Sequence, residues 1–128
     1  MKDIEDINDI RVFVDGFYDK VKQDDLIGPI FLKVIPGDWQ PHLDKMYAFW
    51  NAVLFGVSGF KGNPFVKHAP LKIAQEHFDR WLKLFGETID NHFEGAVATD
   101  VKNRADLMAV MFMSKLGRMT GGADLVVV

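Results

Sequence analysis

Apolar residues return at steps of three and four along nearly the whole chain, and that period allows little besides packed helices. The clearest stretch runs from about Asp6 to Lys22, where Ile10, Phe13, Val14, Phe17, Tyr18 and Val21 share one stripe. Asp6 and Asp9 are both suited to cap its start. Asp24-Asp25 and Gly28-Pro29 interrupt the pattern, and Ile30-Phe31-Leu32 follows as a short apolar insert. Pro36-Gly37 marks a turn. Asp38 is expected as the N-cap of a second helix from Trp39 to Phe55, with Pro41 in its first turn and Gly56 as its stop. Its ridge carries Trp39, His42, Met46, Phe49, Trp50 and Val53. A third helix is expected from near Pro70 or Leu71 to about Asn91, with Ile73, Ala74, His77, Phe78, Trp81, Leu84, Phe85 and Ile89 on its apolar face. A fourth is expected after Thr99 or Asp100, with Val101, Ala105, Met108, Phe112, Leu116 and Met119 as its stripe. The spacing predicts one all-α domain over 1–128, with 118–128 a flexible tail.

At 128 residues the chain is long enough for one self-sufficient core. It has no cysteine, which excludes disulfide frameworks, thiolate zinc sites, cysteine-ligated iron–sulfur clusters, a cysteine nucleophile and thioether-linked haem. The net charge is −3 and no block of basic residues stands out, so neither nucleic acid nor a membrane surface is expected as a partner. No apolar run approaches the ~20 residues of a spanning helix. The acidic start MKDIEDINDI does not read as a secretory signal, so a cytoplasmic location is expected. Phe, at 11, outnumbers Leu, an inversion of ordinary usage that calls for flat, bulky apolar walls.

The segment VSGFKGNPFVKHAP has no clear period, and irregular stretches of this length in small domains are often functional. No His-Glu-x-x-His pair, calcium loop, phosphate-binding loop or Gly-x-Ser-x-Gly elbow occurs. Metal chemistry would have to rest on His and carboxylates, and haem needs only one strong axial ligand from the protein. By spacing alone, His42 on the second helix reads more readily as a boundary residue than as part of a ligand pocket. His68, at the end of the irregular segment, reads either as a surface histidine or as a ligand. Its place near a helix start disfavours positive charge and so favours the neutral, metal-binding imidazole. Tyr18 and Trp81 lie on inner faces, where a buried O–H or N–H must find a partner. His77 and His92 read as boundary residues. Met46, Phe49 and Phe78 read as core, and Lys45, Lys67 and Arg80 as solvated.

Taken in order, these residues resemble the truncated haemoglobins, specifically their third group. The resemblance is carried by Phe17-Tyr18, Gly28-Pro29-Ile30-Phe31, Trp39-x-x-His42-Leu43, Phe49-Trp50, Gly62-x-Pro64-x-x-x-His68 and Phe78-x-x-Trp81-Leu82, across about residues 5 to 115. It implies a truncated globin-like two-over-two helical sandwich around haem b. His68 would be the proximal iron ligand. Phe31 would pack on the porphyrin, and Tyr18, His42 and Trp81 would form the distal polar set. Met46 would sit one turn beyond His42, with Phe49 and Phe78 lining or backing the pocket. Lys45 and Lys67 would meet the haem propionates. Phe60 departs from the Tyr common in relatives, and the glycine pairs of the other truncated groups are missing from their usual places.

The resemblance implies binding of dioxygen, nitric oxide or another diatomic ligand at an open iron site. Donors aimed at the charge on such a ligand suit retention for chemistry better than delivery. Nitric oxide dioxygenation or a peroxidase-like reaction, served by an unidentified reductase, is therefore the expected function. Reversible oxygen binding, storage or sensing without turnover is the alternative.

Overall fold

In the computed structural model the described residues are 1–59, 65–67, 73–118 and 125–127, with the backbone alone described for 65–67, 115–118 and 125–127. Five helices build the fold: α1 (Ile7–Gln23), α2 (Gly28–Val34), α3 (Gln40–Phe55), α4 (Gln75–His92) and α5 (Ala96–Arg118). Two three-residue strands, β1 (Phe65–Lys67) and β2 (Leu125–Val127), form an antiparallel ribbon with Val66 opposite Val126. The class is all-α, as the periodicity predicts, but with one more helix than expected. The Ile30-Phe31-Leu32 insert is part of a helix, with Pro29 in its first turn, where a missing N–H is harmless.

The α1 stripe is buried residue for residue as expected, and Asp6 caps the helix by accepting from the N–H groups of Asn8 and Asp9. Asp38 accepts from the N–H of Gln40 at the start of α3, and Gly56, at φ 67°, ends that helix in the left-handed conformation. On α4, Phe78, Trp81, Phe85 and Ile89 are buried, whereas Ala74 is exposed and precedes the helix. The expected start of that helix, Pro70 or Leu71, lies outside the described residues.

The start of α5 differs from expectation for a tertiary reason. The helix opens at Ala96 rather than after Thr99 or Asp100 because the Asp3 carboxylate accepts from Val97 N–H and Ala98 N–H, each at 2.9 Å. A cap more than ninety residues away satisfies the donors that a local residue would have satisfied.

Helix α1 packs against α3 and α4, and α4 packs against α5, so the α1–α3 pair lies over the α4–α5 pair. The rings of Phe13, Phe17, Trp50, Trp81 and Phe85 join the layers. Phe13 meets Trp50 edge-on at 5.9 Å, while Trp50 and Trp81 both stack on Phe85, at 5.6 and 5.7 Å.

The α1–α2 corner is built around Asp24. Its carboxylate accepts from Leu26 N–H and Ile27 N–H at 3.0 and 2.9 Å, and from Arg80 Nη1 of α4 at 2.6 Å. Arg80 is thus an ion-pair partner rather than a solvated residue. Gly28 sits where a Cβ would come within 2.8 Å of the Val21 carbonyl, so α2 starts against the last turn of α1 only with glycine there. Burial pushes the Asp24 carboxyl up, but the Ile27 N–H and Arg80 outweigh it and hold it below its ordinary value of 3.8. A lowered folded pKa stabilises above the unfolded value, and that contribution disappears as pH falls through the folded one. Asp24→Ala should therefore cost about 2–3 kcal/mol at neutral pH, most of it from the two stranded N–H groups. Asp24→Asn, which keeps an oxygen for them, should cost less than half as much. Urea unfolding at pH 7 and pH 3 checks both the size and the sign, and an equal loss at the two pH values would refute the linkage.

Candidate functional site

Three helices bring the site together. The α1 stripe delivers Phe17 and Tyr18, the first turn of α3 delivers His42, and the inner face of α4 delivers Phe78 and Trp81. Tyr18 is buried and is the hub. Its ring meets His42 at 4.9 Å, Trp39 at 5.8 Å and Phe31 of α2 at 6.1 Å, all edge to face. Phe17 lies between Tyr18, at 4.9 Å, and Trp81, at 5.8 Å. The three residues expected as a distal polar set therefore converge on adjoining rings from three helices.

Two polar atoms in this cluster are buried without a hydrogen-bond partner: His42 Nε2 and Trp81 Nε1. Buried polar groups of folded proteins are nearly always paired, and leaving one unpaired costs ~1–3 kcal/mol. Two in one aromatic cluster make it the candidate ligand site of the fold. Burial first, and then the charge of Lys45, push the His42 imidazole down to about 4, so it is neutral at pH 7. Burial pushes the Tyr18 hydroxyl up, so it stays protonated and able to donate.

Beside the cluster, Ile27, Ile30 and Phe31 from the α2 region face Ile73, His77, Phe78 and Trp81 across a slot of about 30 Å³. That is room for about one water. Every wall except His77 and the Trp81 N–H is apolar. His77 Nδ1 accepts from Ala74 N–H at 2.8 Å, which leaves its other nitrogen as the N–H of the neutral ring.

The remaining expected residues divide. Met46 and Phe49 are buried on α3, with Phe49 edge-on to Trp50 at 5.2 Å, but neither appears among the described walls of the slot. Lys45 is half-buried one turn from His42. His68 and Phe60 lie outside the described residues, and Lys67 has only its backbone described, in β1. His92 is exposed, with Nδ1 2.9 Å from the Thr88 carbonyl. Sequence reasoning passed over Ile27 and gave Ile30 no role of its own, since both flank Gly28-Pro29 in a stretch too short to display a period; it also passed over Tyr47, whose hydroxyl donates to Asp15 under the Arg11 guanidinium.

Among the described residues no three His, Asp or Glu side chains gather as a metal site, and no helix is long and apolar enough to cross a membrane. A single-histidine haem site requires no such cluster. The unpartnered Trp81 N–H, the neutral His42 and the aromatic walls suit a flat apolar cofactor that carries a polar ligand on one face.

The chain is similar to known proteins of one family. The bacterial-like globin family matches residues 4–115. The group 3 truncated hemoglobin ctb of Campylobacter jejuni is 33% identical over 116 residues, which cover 88% of this chain and 91% of that protein. The crystal structure of the group III truncated hemoglobin from Campylobacter jejuni superposes with a TM-score of 0.79 at 28% identity, covering 91% of this chain and 95% of that one.

Proposed function

The chain belongs to the bacterial-like globin family, among the group III truncated haemoglobins, and from that premise we propose that it holds haem b, with His68 on the iron, and retains dioxygen for reaction rather than delivery. Globins bind diatomic ligands on haem, and the reading beyond this is carried by one observation: His42 Nε2 and Trp81 Nε1 are buried without partners around the Tyr18 ring.

Haem supplies the iron site that binds a diatomic molecule and exchanges electrons with it. The chain's own residues do the rest. Phe31, Phe78 and the indole of Trp81 exclude water and bear on the flat faces of the cofactor. Tyr18 O–H, Trp81 Nε1–H and His42 would offer preorganised hydrogen bonds to a polar ligand held there. Lys45 and Lys67 would meet the propionates. Retention of this kind suits nitric oxide dioxygenation or a peroxidase-like reaction, with a separate reductase as partner.

Titration of the purified protein with haemin tests the first half. An intense Soret band saturating at one haem per chain is expected, and its absence would refute haem binding. Mixing the oxygenated ferrous protein with nitric oxide tests the second half. Stoichiometric nitrate is expected, whereas intact oxygenated protein without nitrate would mark reversible binding instead.

A further inference from the structure

We propose that Trp39 is the positioning residue for His42, holding its imidazole against Tyr18, and that Lys22 holds Trp39 in turn. His42 Nε2 has no hydrogen bond to fix the ring. What bounds the imidazole is two aromatic edges, Tyr18 at 4.9 Å and 84° and Trp39 at 6.1 Å and 86°. Trp39 stands immediately before α3 and is 8% exposed, with its own edge contact to Tyr18 at 5.8 Å. The ammonium of the exposed Lys22, near the end of α1, lies 4.7 Å from the indole centroid, and a cation over an indole face favours that ring placement. The indole thus closes an edge-to-face cluster of three rings, one of which carries the unpaired His42 Nε2.

A histidine kept inside by packing alone leaves when its wall is removed, because hydration satisfies the nitrogen that burial leaves unpaired. Trp39 therefore sets how often His42 turns out to solvent. On the proposed function, it also sets how readily a diatomic ligand passes that position. The titratable and charged groups near His42 are Lys45 on its own helix and Tyr18 on α1, with Lys22 beyond Trp39.

The test compares Trp39→Leu, Trp39→Phe and Lys22→Met with the parent chain. The first readout is the His42 titration by NMR in the haem-free protein. The second is carbon monoxide recombination after flash photolysis of the haem-loaded ferrous protein. In Trp39→Leu the His42 pKa should rise from about 4 toward the ordinary 6.5. Carbon monoxide association should quicken about tenfold in the same variant. Trp39→Phe, which keeps an aromatic edge, should stay near the parent in both, and Lys22→Met should fall between. An unchanged His42 titration in Trp39→Leu overturns the proposal. Equal shifts in the Leu and Phe variants overturn it too, since the effect would then be lost volume. A parent chain that takes no haem refutes the proposed function alone, because the titration still reads the position of His42.

Discussion

Ferrous protein carrying His68→Ala is expected to lose the iron–imidazole bond and with it most of its hold on haem. Loss of an outer-shell partner of a metal-ligating histidine lowers metal affinity by ~10–100-fold, and loss of the ligand itself should exceed that. The measurement is transfer of haem to an excess of an apoprotein scavenger, followed at the Soret band. The iron–histidine stretch of the ferrous form gives a second readout. Free imidazole added to the variant should restore that stretch, since it replaces the missing ring without repairing the chain. A variant that keeps the parent's stretch without added imidazole would show that another residue binds the iron. His77 is the first alternative to examine, because it borders the slot. Its Nδ1 is already committed to the Ala74 N–H, and ligation through the other nitrogen would require that ring's proton to leave.

The second large effect is expected on dioxygen release. Charge-assisted hydrogen bonds contribute ~1.5–3 kcal/mol each, so Tyr18→Phe and Trp81→Phe should each speed dissociation by roughly 10–100-fold. The double variant should fall short of the product, because Phe17 packs between the two rings and couples their positions. Carbon monoxide is the control. It draws little negative charge, so its release should change far less than that of dioxygen. If both ligands leave faster by the same factor, the rings act through volume, and the donor assignment is wrong. Trp81→Phe also removes part of a stack on Phe85, so its stability should be measured beside the kinetics.

The helical stripes were legible because a helix repeats every 3.6 residues, and burial of one face writes that period into adjacent sequence. On α1, Ile10, Phe13, Val14, Phe17, Tyr18 and Val21 follow it residue for residue. Helix α2 was not legible: seven residues hold fewer than two full turns of pattern, and Gly28-Pro29 reads equally well as a turn or as a helix start. Arg80 read as solvated because nothing in its neighbourhood on the chain is its partner. The partner, Asp24, is 56 residues away. The meeting of Tyr18, His42 and Trp81 around Phe17 was not legible from local spacing, since a tyrosine, a histidine and a tryptophan on separate helices share none. Met46 and Phe49 are buried on α3, as their place on its ridge predicts.

By itself the sequence determined the all-α class, the inward faces of the helices and the stop at Gly56, and it narrowed the first cap to Asp6 or Asp9, since each depends on residues within a turn or two of one another. Tertiary structure alone decided where α5 begins, because its donors are capped by Asp3 across more than ninety residues. It alone decided that the Asp24 corner is tied to α4. It also decided that His42 Nε2 and Trp81 Nε1 are buried without partners. An unmet hydrogen bond is a property of the space around an atom, and that space exists only once α1, α3 and α4 have packed.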